Sequence, residues 1–150
     1  MRAVIQRVSK SSVTINNTIV AEIHEGLLIL LGIETEDTFE EVKWLSTKIS
    51  TLRIFSDKDG KMNMSIIEIG GEIIVVSQFT LHAKTKKGNR PSYIKSARPE
   101  QAIPLYEQFK KDLSQLIGKE VQSGEFGSDM KVIITNEGPV TLIIDTKNKE

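Results

Sequence analysis

Two short segments carry most of the groups that could do chemistry in this 150-residue chain. The first, Ser77-Gln78-Phe79-Thr80, directly follows the apolar run Ile73 to Val76, so its polar side chains and backbone N–H groups emerge at the end of a buried strand. Such a strand end can present hydrogen-bond donors to an oxygen on which negative charge develops during acyl transfer. Composition alone favours a simpler interpretation, in which the segment is a strand exit with ordinary capping hydrogen bonds.

The second segment is Asn136-Glu137-Gly138-Pro139-Val140-Thr141, which lies between two apolar stretches. A Gly-Pro pair is typical of turns, so the simple interpretation is a connection between two strands. A peptide bond before proline can also be cis at a cost of only about 0.5–1 kcal/mol. A cis bond at Gly138-Pro139 would aim successive backbone carbonyls in an unusual direction, and the residues alone leave both interpretations open.

Several common catalytic devices are absent from the sequence. Without cysteine there is no disulfide, no thiolate metal site and no cysteine nucleophile. The chain also lacks Gly-x-Ser-x-Gly, His-Glu-x-x-His, Gly-Lys-Ser/Thr and Gly-x-Gly-x-x-Gly motifs. The two histidines, His24 and His82, are far apart in sequence, and we expect them on the surface or in loops rather than at a metal. We therefore predict no metal and no cofactor, and an enzyme of this composition would depend on backbone donors, hydroxyls and its substrate.

Charge is distributed unevenly although the formal net charge is zero. Residues 83–98 contain basic side chains and no acid, which describes either a solvated face or a patch that binds phosphates. The basic residues of this segment are Lys84, Lys86, Lys87, Arg90, Lys95 and Arg98.

Strand patterns dominate the rest of the chain. Asn16-Asn17 suits the tight turn of an early hairpin, because asparagine tolerates positive φ. The apolar patterns predict strands over Val4 to Ile15, Thr18 to Ile23, Leu27 to Ile33, Leu52 to Phe55, Glu72 to Ser77, Met130 to Thr135 and Val140 to Asp145.

Two helices are predicted between these strands. The first begins after Asp37 or Thr38, and its apolar stripe is Phe39, Val42, Leu45 and Ile49. The second ends at Gly118 and should contain Pro104 only in its first turn. Its stripe is Ala102, Leu105, Phe109, Leu113 and Leu116. The prediction is one α+β domain over residues 1–150, with mainly antiparallel β-sheets forming a barrel-like core and two principal helices.

Neither a signal peptide nor a membrane span is indicated. The opening residues Met1 to Arg7 are too polar for a signal peptide, and no apolar stretch approaches the roughly 20 residues that cross a bilayer. We expect a soluble cytosolic protein.

Taken together, Ser77-Gln78-Phe79-Thr80 and Asn136-Glu137-Gly138-Pro139-Val140-Thr141 resemble the paired signatures of the D-aminoacyl-tRNA deacylase family. Each motif alone is weak, but their order and spacing over essentially the whole chain are specific. Supporting resemblances are Met1 to Val8, Arg53-Ile54-Phe55, Lys86 to Pro91 and Gly124-Glu125-Phe126-Gly127.

The resemblance implies a cytoplasmic homodimer, with the active site at the subunit interface and with no membrane or DNA partner. The reaction it implies is hydrolysis of the ester joining a D-amino acid to the terminal adenosine of tRNA, and of mischarged glycyl-tRNA(Ala). Gly138 and Pro139 are expected to form a cis peptide that reaches into the partner's site. Its carbonyls would crowd the position of an L side chain.

The resemblance also assigns roles within the site. The catalytic segment is Ser77, Gln78, Phe79 and Thr80, with the 2′-hydroxyl of the terminal adenosine assisting the attacking water. Thr80 as a nucleophile is an alternative, although no base partner is visible for it in the sequence. Phe79 and Phe126 pack on the adenine, shape the pocket or belong to the core. The tRNA phosphates would be bound by Lys84, Lys86, Lys87 and Arg90.

Two other functions remain open at this point. The scarcity of acid-base side chains also fits a non-catalytic RNA-binding module. A hydrolase for another acyl ester or nucleotide is the third possibility, and dependence of the reaction on tRNA distinguishes it from the first.

Overall fold

The computed structural model describes residues 1–150, and its longest strands, β1 (Arg2–Ile15) and β8 (Lys131–Asp145), pair antiparallel along their length. The other edge of β1 pairs antiparallel with β3 (Gly26–Gly32) and β2 (Thr18–Ile23). Beyond β3 the sheet continues with parallel neighbours, β6 (Glu72–Ser77) and β7 (Gln122–Ser123). The predicted α+β class is confirmed, and the sheet is mixed rather than purely antiparallel. The small β4–β5 hairpin consists of Phe55–Ser56 and Met62–Met64.

The predicted hairpin turn lies at Asn16 and Asn17, which have φ values of 48° and 64°. These are the only two non-glycine residues with positive φ, and asparagine enters this region more readily than most residues. The turn places β2 beside the second half of β1.

The central strands are buried on both faces, as continuous apolar runs predict. Alternate residues such as Leu27, Ile29 and Val75 face the helices, whereas Leu28 and Ile74 face the opposite side. That second face is covered by strands rather than helices, because β1, β2 and β8 curl over it. Val13, Ala21, Ile23 and Val132 belong to this second cluster, which gives the sheet its barrel-like form.

Helix α1 (Phe39–Thr51) begins as predicted, with Thr38 as its N-cap in a reciprocal capping box with Glu41. Its buried face contains Val42, Leu45 and Ile49, but Phe39 is exposed, contrary to the predicted stripe. Phe39 is the first helical residue, and it lies at the N-terminal end of the buried stripe.

Helix α2 (Pro99–Ile117) ends at Gly118 with φ 68°, as predicted, but it begins earlier than Pro104 suggested. Pro104 therefore lies in the second turn, and the first-turn prediction was wrong. Its missing N–H leaves the carbonyl of Glu100 without a helical donor, which is tolerated because both residues are exposed to water. Leu116, predicted in the stripe, is also exposed at the end of the helix. Neither α1 nor α2 has the length together with the apolar composition that a membrane-spanning helix needs.

Two strand predictions need correction. The predicted strand over Leu52 to Phe55 begins only at Phe55. The two strands predicted before and after Gly138-Pro139 are a single strand, β8, and the Gly138-Pro139 peptide within it is cis. Pairing with β1 jumps from Val8–Asn136 to Gln6–Thr141, so residues 137–140 bulge opposite Arg7. The Gly-Pro pair interrupts the ladder without reversing the chain.

Candidate active site

A cavity of about 280 Å³ opens where β3 and β6 end, and the predicted catalytic segment forms part of its lining. Ser77, Gln78 and Phe79 contribute from the exit of β6. The segment that precedes β8 contributes Phe126. The structure therefore brings together four of the residues predicted from the sequence. The remaining lining residues are Leu31, Ile33, Val76, Ala97, Ala102, Gly127, Ser128, Asp129, Met130 and Val132.

Backbone hydrogen bonds fix the predicted catalytic segment to the sheet. The Gln78 N–H donates to the Leu31 carbonyl at 2.8 Å, after which the chain turns into a 3₁₀ helix, Phe79–His82. Gly32 permits this close approach, because a Cβ there would lie 2.9 Å from the Leu81 Cβ and 3.0 Å from the Gln78 carbonyl oxygen. The first N–H groups of the 3₁₀ helix, those of Phe79 and Thr80, have no acceptor within the helix. They are available for an anionic oxygen.

Thr80 adjoins the cavity but does not line it. Its half-buried hydroxyl accepts a 2.5 Å hydrogen bond from the Gln78 side-chain amide, and no carboxylate or imidazole bonds to it. An amide has no basic nitrogen that could take the threonine proton. The Thr80 hydroxyl therefore has the Gln78 amide as its hydrogen-bond partner and no base beside it that could activate it as a nucleophile.

Neither of the two histidines lines the cavity. His24 is exposed, as expected, but His82 is only 5 % exposed, which contradicts the expectation of a surface or loop histidine. His82 ends the 3₁₀ helix and packs against Gly32, and its Nε2 has no hydrogen-bond partner. The structure contains no group of three or more His, Asp or Glu side chains placed to share a metal ion.

Phe126 is held by Tyr106, a residue that the sequence interpretation missed. The two rings meet edge to face with centroids 5.6 Å apart, and the Tyr106 hydroxyl donates to the Val75 carbonyl at 2.8 Å. Burial raises the pKa of the Tyr106 hydroxyl, so it remains a neutral donor. Tyr106 lies at helical spacing from Ala102, Phe109 and Leu113 of the predicted stripe, and this spacing was the signal in the sequence for its burial.

Asp129 is the one ionisable residue among those that line the cavity, and it was also missed. It follows Phe126 and Gly127 in the segment before β8, and Gly127 turns the chain there with φ 79°. The rest of the lining is apolar or neutral, so the cavity combines an apolar floor with few polar groups. This composition is typical of small-molecule sites.

Gly138 and Pro139 do not line the cavity of their own chain. Gly138 lies opposite Arg7 of β1, whereas Ser77 is aligned through Leu31 with Ala3, four residues further along the same strand. This register separates the two signatures by roughly 13 Å along the strand direction. Within one chain, the structure does not bring them together.

The side chain of Arg7 fixes the exposed bulge of residues 137–140. Its Nε donates to the Glu137 carbonyl at 3.2 Å, and its Nη1 donates to the Ile54 carbonyl at 2.7 Å. A Cβ on Gly138 would lie 2.7 Å from the Arg7 Nη2, and the φ of Gly138, 116°, is itself unfavourable for an L-residue. The side chain of Asn136 donates across the bulge to Thr141 at 3.0 Å.

The basic segment forms a loop beside the cavity. Lys84 and Ser92 exchange two backbone hydrogen bonds, of 2.8 and 3.0 Å, which close the loop at its base. The predicted tRNA-binding residues are all exposed, and none forms an ion pair within the chain. These residues are Lys84, Lys86, Lys87 and Arg90.

Known proteins are similar to this chain in sequence and in fold. The family model described as D-Tyr-tRNA(Tyr) deacylase matches residues 4–145. A Bacteroides fragilis protein named D-aminoacyl-tRNA deacylase is 63 % identical over 150 residues, which cover 100 % of both chains.

Two solved structures are also similar. One, titled c-Myc DNA Unwinding Element Binding Protein, is 38 % identical with a TM-score of 0.90, over 97 % of this chain and 98 % of its own. A probable eukaryotic D-amino acid tRNA deacylase shares the fold at 18 % identity, with a TM-score of 0.80 over 95 % of this chain and 97 % of its own. By the family match and the identity to its relatives, the chain belongs to the D-Tyr-tRNA(Tyr) deacylase family.

Proposed function

We propose that this protein hydrolyses the ester between a D-amino acid and the terminal adenosine of tRNA, releasing free D-amino acid and tRNA. The observation that carries the proposal is the cavity at the exit of β6, which gathers Ser77, Gln78, Phe79 and Phe126 in a chain of this family. Water is the second substrate of this reaction, and we propose no cofactor. We place the activity in the cytoplasm, where tRNA is used.

The chemistry follows from what the cavity offers. Attack of water on the ester carbonyl creates an oxyanion, and the free N–H groups of Phe79 and Thr80 are the donors best placed to stabilise it. Removing one such donor in other hydrolases costs about 10²–10³ in kcat. The attacking water must also lose a proton, and the lining contains neither histidine nor lysine. We assign this step to the 2′-hydroxyl of the substrate's terminal adenosine, through which the proton passes from the water to the ester oxygen that leaves as a hydroxyl of the tRNA.

We further propose that the Gly138-Pro139 bulge rejects L-amino acids from the site of a second subunit. D and L side chains have equal volume and polarity, so attraction distinguishes them poorly, and a clash with a fixed wall is needed. Backbone held by Arg7 can provide such a wall, because it has no side-chain rotamers with which to yield. Glycine carries no side chain to clash, so glycyl-tRNA(Ala) should also be cleaved.

This division of roles between two subunits requires a homodimer, because the bulge lies too far from the cavity of its own chain to contact a substrate there. Strand β8 is an unusually exposed strand, on which Ile133 and Ile143 are 63 % and 71 % exposed. Exposed large apolar side chains that lie on the same strand are typical of an interaction surface. A two-fold pairing through β8 would bury them, and both cavities would be related by the same axis.

The basic loop is proposed to bind acceptor-stem phosphates without reading the sequence of the tRNA. Lys84, Lys86, Lys87 and Arg90 have no acidic partner in the chain, so they are free to neutralise phosphate. Their contribution should fall as salt rises, since each contact releases counterions.

A second candidate function is nucleic-acid binding without cleavage. The observation in its favour is the 38 % identical structure whose title describes a DNA-binding protein. The experiment that separates the two compares release of D-tyrosine from D-tyrosyl-tRNA with release from a small D-tyrosine ester. A single-stranded DNA is included as competitor. Rapid tRNA-dependent release supports the deacylase. Binding of either nucleic acid without release would instead establish the binding module.

A further inference from the structure

An exposed aromatic pair lies just outside the cavity. Phe79 lines the cavity and is 55 % exposed, and Tyr93 meets it edge to face with ring centroids 5.0 Å apart. Tyr93 is 38 % exposed, and the next residue, Ile94, is 76 % exposed. The rim of the cavity therefore continues into a patch of apolar side chains, the Phe79–Tyr93 rim, that the chain itself leaves open to solvent.

The backbone holds Tyr93 in a defined position. On one side, Ser92 is joined to Lys84 by the two hydrogen bonds that close the basic loop. On the other, the Ser96 N–H donates to the Tyr93 carbonyl at 2.9 Å, and the Ser96 hydroxyl donates to the Phe79 carbonyl at 2.9 Å. A ring that is already fixed loses little conformational entropy when a ligand stacks on it.

Positive charge flanks Tyr93 of the Phe79–Tyr93 rim. The cations of residues 83–98 lie on both sides of Tyr93 in the sequence, and none forms an ion pair with an acid of the chain. Exposed aromatic rings beside unpaired lysines and arginines are how proteins bind single-stranded nucleic acid, the rings stacking on bases and the cations tracking the backbone. Apolar peptide ligands would gain nothing from this excess of charge.

We propose that Tyr93 is a substrate-binding residue on which the base of the nucleotide preceding the terminal adenosine stacks. The inference rests on the proposed function, which places the terminal adenosine in the cavity. The 5′-phosphate of that adenosine must then leave the cavity across its rim, where Phe79 lies. The next, unpaired base reaches Tyr93, and the phosphates continue toward the basic loop. Tyr93 binds substrate outside the cavity and takes no part in bond cleavage.

The test compares Tyr93→Leu with Tyr93→Phe on two D-tyrosyl-tRNAs. One has the normal 3′ end, and the other has an abasic site at the nucleotide before the terminal adenosine. Leucine keeps apolar volume but removes the aromatic face, whereas phenylalanine keeps the ring. A stacked base is worth roughly 5- to 150-fold in affinity. We expect Tyr93→Leu to raise KM by that factor for the normal tRNA, with kcat unchanged, and Tyr93→Phe to behave as the wild type.

The abasic tRNA shows whether the effect belongs to that base. The wild-type protein should already have a raised KM for it, and Tyr93→Leu should raise KM no further. An equal loss with both tRNAs, or no loss with either, would overturn the assignment while the wild-type reaction still stands. Absence of release by the wild-type protein would instead overturn the proposed function. Thermal unfolding of both variants separates loss of stacking from loss of fold.

Discussion

The two signatures of this protein differ in how they are held, and the difference indicates what each can do. Ser77-Gln78-Phe79-Thr80 leaves a buried strand and is fixed by backbone hydrogen bonds to the sheet core. The Gly138-Pro139 bulge is exposed, outside the ladder, and fixed mainly by the Arg7 side chain. Changes in the first region should alter the rate for every substrate. Changes in the second should alter selectivity between substrates.

The largest effect is expected from Gly32→Ala, because Gly32 packs directly against the first region. The new Cβ would be too close to Leu81 and to the Gln78 carbonyl, so the catalytic segment must shift. Because oxyanion donors act only at the right distance, we expect kcat for D-tyrosyl-tRNA to fall about 100-fold or more. Steady-state deacylation kinetics measure this change.

The matched control for that variant is Gly60→Ala. Gly60 lies in an exposed loop with no atom within 4 Å of the added Cβ, although its φ of 76° makes the substitution mildly destabilising. It should lose some stability and no activity. A rate for Gly32→Ala similar to that of Gly60→Ala would show that the position of residues 77–80 does not control catalysis.

A smaller and more selective effect is expected from Gly138→Ala. Its Cβ would lie 2.7 Å from the Arg7 Nη2, so the bulge must move away from its present position. We expect release from L-tyrosyl-tRNA to rise and the D-to-L rate ratio to fall by about 10-fold or more, with the D rate nearly kept. Single-turnover assays with both substrates give the ratio.

Arg7→Leu tests the same region in a second way, because it leaves Gly138 intact and removes the side chain that fixes the bulge. The same fall in the D-to-L ratio is expected, since the Glu137 and Ile54 carbonyls lose their donor. If both variants instead slowed D and L substrates equally, the bulge would have a structural role only.

Thr80→Ala should lower kcat for D-tyrosyl-tRNA by at most about 10-fold, much less than Gly32→Ala. The Thr80 hydroxyl has an amide partner and no base, so its loss removes one hydrogen bond to Gln78. Thr80→Ser restores that bond and should recover the wild-type rate in the same assay. Complete inactivity of a folded Thr80→Ala protein would make Thr80 the nucleophile.

The smallest effect is expected from the double variant Lys86→Ala, Lys87→Ala. Loss of two phosphate contacts should raise KM a few-fold and reduce the slope of log affinity against log salt by about 2. The control pair Lys58→Ala, Lys61→Ala removes equal charge from an exposed loop elsewhere. An identical salt slope for the two double variants would remove the phosphate-binding role from the basic loop.

Much of this architecture could be predicted from sequence because it depends on local patterns. The Asn16-Asn17 turn, the Thr38 cap and the Gly118 helix end all follow from backbone preferences of single residues. The core strand Glu72–Ser77 follows from a continuous apolar run.

The features that were missed depend on partners distant in sequence. Gly138-Pro139 has the composition of a turn, yet β1 pairs on both sides of it and holds the chain extended. Asp129 enters the site through packing between elements, which no local pattern encodes. Tyr106 is different, because its helical spacing from Ala102, Phe109 and Leu113 already indicated a buried position. The burial of His82 likewise depends on its contact with Gly32.

We propose a hydrolase in which one region cleaves and the other excludes L-amino acids. The most direct test incubates the purified wild-type protein with matched D-tyrosyl-tRNA and L-tyrosyl-tRNA, with chelator added, and follows release of tyrosine from each. We predict rapid release from the D substrate and little release from the L substrate above its spontaneous hydrolysis. Equal release from both substrates, or release from neither, would contradict the claim.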